Sequence, residues 1–391
     1  MTEPGAAHRG FVAALTAALL LVVAGYGAIA SMATASLSSI RAGALLANLK
    51  SGSDARIVAL SDDKIKTAIA AMPLDQGIVN VAMVHEAGRR GVAITGPWLT
   101  VLARLGWRDT PALQNMLYTA AIASNMAGVL NIADALLRQQ SLMEQLIPLL
   151  SMMELDPTLR GMLVERLAQN PNWRSAYLAS VSQDPSRLVA RYAFIRALQQ
   201  RGARLDQVEV IPNIDALDGA GLSRYGFVLW QYLQPGITRP LDDTQFIRAS
   251  SSNKVDRDPV PYQWQVLQGD GFSADVSRDG ARASLSLDWN GRGVPVFAQQ
   301  RTSAMPGRYA LDVQAEPDGK ADLQAFVFRL VCGGDTIIFQ QTGSPAHYVT
   351  ASPVPCSYPL LQIAGDVQPS TVDHQVIIDR VTMTMLHPGE R

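Results

Sequence analysis

The sequence predicts a multidomain α plus all-β protein: an N-terminal transmembrane helix over residues 1–36, a helical-repeat region over 37–248, a linker at 249–258 and a β-sandwich over 259–391. Three observations predict it. An apolar, uncharged stretch lies near the start; a long middle has apolar residues recurring at three and four; strict alternation follows a polar, proline-bearing break. A chain of 391 residues exceeds what one hydrophobic core serves, so several folded units are expected. Its 48% hydrophobic content can bury enough apolar surface to offset ordering entropy, which excludes disorder over most of the length. The 33 basic and 34 acidic residues are well mixed, and no basic face or tail stands out, which argues against nucleic acid as a partner.

From Gly10 to Ile40 no residue is charged, and the segment 11–35 reads FVAALTAALLLVVAGYGAIASMATA. A helix of about 20 apolar residues at ~1.5 Å each spans a ~30 Å hydrocarbon core. Gly25 and Gly27 are tolerable in such a helix. The competing reading is a cleaved signal peptide, with His8 and Arg9 as its basic start and Ala33-Thr34-Ala35 as its cleavage site, although the apolar run is longer than that reading needs. No cysteine follows, which excludes a lipoprotein. Arg9 on one side and Arg41 and Lys50 on the other leave the orientation undetermined by charge. The two cysteines are more informative, because Cys332 and Cys356 both fall in the β region. A bridge between them is worth roughly 3 kcal/mol in the chain-entropy model and implies an oxidising compartment. Two buried free thiols are the alternative. The expected placement is single-pass in the inner (cytoplasmic) membrane, with the bulk of the chain facing the periplasm.

The middle shows helical spacing. Ile65, Ile69 and Met72 share one face; a new segment opens at Pro73 with Ile78, Val81 and His85; Trp98, Leu102 and Leu105 mark a third, stopping at Gly106. Pro111 falls in the first turn of a helix with Thr110 as its expected N-cap, and another helix follows Asn125. Further helices are expected at 141–154, 157–169, 171–181, 185–200 and 215–233. Asp156-Pro157, Asn170-Pro171 and Asp184-Pro185 each set a capping residue before a proline at a helix start. Pro73 and Asp109 mark comparable hairpin boundaries 36 residues apart, near the roughly 34-residue tetratricopeptide period. The strict pattern of that repeat is not met, so these are read as degenerate repeats. Such a solenoid offers a groove for peptides or partner proteins; the alternative is a spacer that holds the sandwich off the membrane.

Beyond the polar stretches ASSSN and DRDPVP the period becomes two, as in Ala283–Trp289, Tyr309–Val313, Phe326–Cys332 and Val376–Met385. Asp279-Gly280 and Asn290-Gly291 read as hairpin turns. About eight short strands at this spacing indicate a two-sheet sandwich of jelly-roll type. The order Tyr262-Gln-Trp264, Gly269-Asp-Gly271, Gln299-Gln300, Pro306-Gly-Arg-Tyr309 and Ile378-Asp-Arg-Val381 resembles carbohydrate-binding modules of that type. It is also similar to the C-terminal part of an uncharacterised proteobacterial group with degenerate helical repeats, some of whose members belong to exopolysaccharide loci. In the helical part, Leu105-Gly-Trp-Arg-Asp109, Ala133-Asp-Ala-Leu-Leu-Arg138 and Asn170-Pro-Asn-Trp-Arg174 extend that similarity.

Sugar-binding sandwiches stack pyranose faces on aromatic rings and read hydroxyls with amides and carboxylates. The candidate glycan-binding residues are therefore Trp289, Asp288, Asn290, Gln299 and Tyr348, while Trp264 and Tyr309 read as core. Trp289 ends a strand beside polar residues, where its ring is either core or exposed. No catalytic set emerges. Gly221-Leu-Ser223-Arg-Tyr-Gly226 is one residue too long for a nucleophile elbow, and Gly219-Ala-Gly221 lacks a dinucleotide-binding context. The five histidines show no ligand spacing, so neither a metal nor another cofactor is expected. The sequence thus reads as a non-catalytic, membrane-anchored envelope protein. Its helical repeats would dock protein partners and its sandwich would contact glycan, as a scaffold or binding factor in surface polysaccharide assembly or export. A protein-interaction scaffold without glycan affinity and a glycan-modifying enzyme are the alternatives.

Overall fold

A computed structural model describes residues 57, 60–92, 96–236, 240–249, 260–280, 282–316, 322–343, 346–366 and 372–387. Among them no helix is long and apolar enough to cross a membrane. The apolar segment 11–35, with the cleavage site weighed against it, and linker residues 250–258 lie outside the described residues.

Eleven α-helices precede the strands among the described residues: α1 Asp62–Ala71, α2 Gln76–Arg90, α3 Gly96–Leu105, α4 Thr110–Ile122, α5 Met126–Arg138, α6 Met143–Met152, α7 Pro157–Ala168, α8 Arg174–Ala179, α9 Pro185–Gln200, α10 Gln207–Gly219 and α11 Ser223–Leu233. Every second helix from α2 to α10 begins 31 to 34 residues after the one before it. Contacts divide the chain into two compact units: one runs up to Ser180 and includes Val189–Leu205, and the other comprises Val181–Leu188 and everything from Asp206 onward.

In the first unit the helix starts follow local chemistry. Asp75, Asp109, Asn125 and Asp156 each accept a hydrogen bond from a backbone N–H of the following first turn. In the second unit's segment Val181–Leu188, Asp184 does the same for Ser186 at the start of α9. The cap of α4 is therefore Asp109, and Thr110 lies inside the helix. The expected helix over 171–181 is shorter. Asn170 takes a left-handed φ of 53°, Pro171 opens a turn, and α8 starts only at Arg174. Leu113, Leu117, Leu136, Leu163 and Leu167 are fully buried between helices.

Helix C-termini leave carbonyls without partners, and neighbouring hairpins supply the donors. Gln76 Nε2 donates to Leu102 O (3.1 Å) and Gly106 O (2.6 Å) at the end of α3. Its Oε1 accepts from the N–H groups of Arg108 and Asp109. Gln139 donates to Trp107 O, Asn172 to Arg138 O and Arg174 to Arg204 O, each 30 to 34 residues away. Asp134 ties the same period together by accepting from Trp173 Nε1 (2.8 Å), Arg138 and Arg166. Deeper still, Glu154, Tyr177 and Arg191 form a buried polar triad. The Tyr177 hydroxyl donates to Glu154, Arg191 Nε pairs with the same carboxylate at 2.9 Å, and its guanidinium lies 4.7 Å from the Tyr177 ring centroid.

The second unit opens with α10, whose capping box joins Asp206 and Glu209. The single helix expected over 215–233 is instead two. Ala220, Gly221 and Leu222 break it, and Gly221 adopts φ +73°, a left-handed geometry that glycine tolerates. The α10–α11 hairpin packs on the β region through Phe227 and Trp230 against Tyr262, and Phe227 against Tyr358. An Arg301–Asp218 ion pair at 2.8 Å joins the same two parts.

Ten strands follow: β1 Gln265–Val266, β2 Phe272–Asp279, β3 Arg282–Trp289, β4 Val296–Arg301, β5 Arg308–Ala315, β6 Phe326–Cys332, β7 Asp335–Gln341, β8 His347–Thr350, β9 Leu360–Gly365 and β10 His374–Leu386. All pairings are antiparallel, in the order β1-β4-β9-β6-β7-β8-β5-β10-β3-β2. The sheet folds over on itself at β7, nearly closing as a barrel does. Residues Asp335–Ile338 pair with β6, and Phe339–Gln341 pair with β8. Alternating side chains fill the interior, among them Leu285, Leu287, Leu311, Phe328, Leu361 and Ile363. Trp264 and Tyr309 belong to that core, as expected. Cys332 and Cys356 form a disulfide with a Cα–Cα distance of 5.7 Å, packed against the core.

Candidate functional site

An open, mostly polar cleft of about 650 Å³ lies where β2 begins, β3 ends and β10 begins. The register builds it. Phe272, Trp289 and His374 are cross-strand partners, as are Ser273, Asp288 and Gln375. Gly269, Gly271 and Asn290 close one side, and Asp322 and Asp373 the other.

Local geometry explains the sequence around it. Gly271 has φ +78°, and a Cβ there would lie 2.3 Å from the Asn290 amide nitrogen, so only glycine allows this approach. Asn290 N–H donates to Gly271 O, and Asn290 Oδ1 accepts from Arg292 N–H at 3.1 Å. Gly365 leaves room for the Trp289 ring, which a Cβ would meet at 2.9 Å.

Trp289 is only 3% exposed, so its ring is core and offers no open stacking face. Its Nε1 donates to Arg292 O at 2.9 Å, and the ring packs on Phe297, Phe326 and His374. A hydrophobic residue on an inward strand position, at a sheet end sealed by glycine, is buried by its neighbours even when flanked by polar residues. Tyr348 is likewise interior, 6% exposed and packed 5.0 Å from the Phe328 ring, and burial raises its hydroxyl pKa. Neither ring is a surface platform. Gln299 lies on another face of the sheet, hydrogen-bonded to Gln265 and Gln362.

The cleft thus gathers Asp288, Trp289 and Asn290 and leaves Gln299 and Tyr348 out. It adds Ser273, Asp322, Asp373, His374 and Gln375, which sequence reasoning missed. Asp288 is exposed and has no ion-pair or hydrogen-bond partner among the described residues. His374 Nδ1 sits 3.6 Å from Asp322 Oδ1 with no hydrogen bond at either ring nitrogen, and Gln375 N–H points at Asp322 Oδ2 at 3.5 Å. Asp288-Trp289-Asn290 at a strand end and the Gly269-Asp-Gly271 turn were the local signals of this site.

Chemically, three carboxylates, two amides, a hydroxyl and an imidazole line the cleft, with no lysine or arginine. Such a set accepts hydroxyl hydrogens well and repels anions. Among the described residues, no three His, Cys, Asp or Glu side chains are grouped so as to hold a metal ion. The chain matches no protein-family model, and no curated protein matches it in sequence.

Proposed function

We propose that the chain is a non-catalytic, membrane-anchored envelope protein that serves as a scaffold or binding factor in surface polysaccharide assembly or export. The sandwich contacts glycan and the helical repeats dock protein partners. The observation that carries this reading is the cleft at the sandwich edge, where Asp288 and Asn290 stand beside Asp322, Asp373 and Gln375. Carboxylates and amides without competing cations suit the hydroxyls of a neutral sugar.

Four further features support it. The strand order, β3-β10-β5-β8 against β4-β9-β6-β7, is consistent with a jelly roll, the outline to which the sequence bears a resemblance. Helix starts every 31 to 34 residues agree with degenerate tetratricopeptide-like repeats. The Cys332–Cys356 bridge suits an oxidising compartment such as the periplasm, and the uncharged segment 11–35 supplies the anchor.

The test is affinity electrophoresis of the full chain in detergent against the source organism's own surface polysaccharide, carboxyl-reduced so that it is neutral. Retardation is expected, and it should be lost in an Asp288→Asn/Asn290→Ala variant. An unretarded, well-folded chain would remove the glycan part of the reading and leave a protein-interaction scaffold.

A further inference from the structure

The outer face of the β1-β4-β9-β6-β7 half of the sheet carries a polar row that the core does not require. Gln265, Gln299, Gln362 and Arg329 are directly opposed on β1, β4, β9 and β6. Their chain neighbours Leu361, Ile363, Phe328 and Leu330 are buried in the core, so the row faces the other way. The side chains join head to tail: Arg329 Nε donates to Gln362 Oε1 (2.9 Å), Gln362 Nε2 to Gln299 Oε1 (3.0 Å), and Gln299 Nε2 to Gln265 Oε1 (2.9 Å).

These bonds leave capacity unspent. A glutamine amide has two N–H donors and two acceptor lone pairs, so Gln299 and Gln362 each keep one of both. Arg329 uses only its Nε, and among the described residues no carboxylate pairs with its terminal nitrogens. We propose that this row is a binding track for an acidic polysaccharide chain laid across the strands.

Each element of the row has a counterpart in such a ligand. A sugar hydroxyl both donates and accepts, matching the spare N–H and lone pair on each amide. Strands stand about 4.8 Å apart, so the amides recur at about the length of one pyranose along an extended chain. The Arg329 guanidinium, whose terminal nitrogens meet no carboxylate among the described residues, supplies the charge complementarity, since its planar fork takes a carboxylate in bidentate fashion. Leu360 and Val331, half-buried one row along, offer apolar contact to sugar C–H faces. The cleft carries the opposite charge, so the two sites select different groups and fail independently.

The test uses the full chain in detergent on gels containing polygalacturonate, hyaluronan or alginate, with carboxyl-reduced polygalacturonate and polyglutamate as controls. Retardation by at least one acidic polysaccharide is expected, weaker on the reduced form. It should fall at least tenfold in Arg329→Gln and in Gln299→Ala/Gln362→Ala, fall less in Arg329→Lys, and stay unchanged in Arg282→Gln, which removes an exposed arginine from β3 outside both sites. The Lys variant keeps the charge and loses the fork, which guards against loss of fold in the others. The proposal is overturned by no retardation on any of the three, by retardation that ignores Arg329 and both glutamines, or by equal retention on polyglutamate, which would reduce the row to simple anion attraction.

Discussion

Replacing Glu154 by Gln should destabilise the first unit far more than its loss of one charge suggests. Glu154 is 2% exposed and Arg191 5%, so the partners are almost dry. At a charge separation of ~4 Å and an effective dielectric of ~20, their attraction is about 4 kcal/mol. Glu154→Gln preserves the shape and leaves the Arg191 guanidinium buried without a counter-ion, a loss of about 3–5 kcal/mol. Arg191→Met behaves differently. It removes the Arg191 hydrogen bonds to Tyr177 O and Leu178 O, but the stranded carboxylate can take up a proton. Burial already raises the Glu154 pKa against the opposing pull of Arg191. Without Arg191 the folded value climbs further, so the folded state holds its proton to higher pH than the unfolded state. The stability of Arg191→Met should therefore be greatest below the ordinary carboxylate range and should fall as pH rises towards the folded value. Hydrogen exchange of α8 and α9 amides measures this locally, and Glu154→Gln should speed exchange by roughly two to almost four orders of magnitude. A double-mutant cycle should give strong coupling between the two sites. Losses below about 1 kcal/mol in both single variants, or strict additivity, would refute the reasoning.

Two further outcomes are expected. His85 is buried with Nδ1 3.1 Å from Ile57 O and Nε2 3.0 Å from Asp62 Oδ1, so both ring nitrogens face acceptors and the imidazolium satisfies them together. The Asp62 hydrogen bond, above all, raises the His85 pKa, and the same bond lowers that of Asp62, with Arg89 adding to the effect. Protection of α1 amides should be full below the ordinary histidine pKa, about 6.5, and fade as pH rises through the raised value. At the acid end it should fade as pH falls through the depressed Asp62 value. Asp62→Asn should flatten the histidine limb, and an unaltered profile would count against the arrangement. For the disulfide, a separation of 24 residues corresponds to about 3.5 kcal/mol in the chain-entropy model. Cys332→Ser/Cys356→Ser should lower the sandwich's stability to urea by about that amount, and an unchanged urea midpoint would contradict it.

What was legible in the sequence was local. Asp156-Pro157 and Asp184-Pro185 start helices because the cap and its targets lie within three residues of each other. Alternation in 283–289 and 326–332 marks strands because each side chain's face depends only on its parity. The misreadings share a cause in distant partners. Asn170-Pro171 carries the same signal as the other caps, yet Trp173 is drawn to Asp134, 39 residues back, and the helix starts later. The apolar run over 215–233 hid a break that Gly219-Ala-Gly221 announced, because those glycines were weighed only as parts of a nucleophile elbow or a nucleotide motif. Trp289 could not be placed from its neighbours, since the residues that bury it include Phe326, Gly365 and His374. The cleft is the extreme case, with lining residues spread from Gly269 to Gln375.

The strand that changes partners halfway has a consequence for assembly. Because β7 hands the ladder from β6 to β8, the described strands form one ribbon with two ends, where two separate sheets would have four. One end, β1, is two residues long and too short to template another strand. Growth by strand addition is therefore confined to the far border of β2, an eight-residue strand whose exposed positions include Asp275, Arg278 and Asp279. Charges on an edge discourage the register-tolerant pairing that leads to aggregation. A partner that joins this domain by extending its sheet must therefore dock alongside Phe272–Asp279, bringing its own backbone to the rim of the cleft.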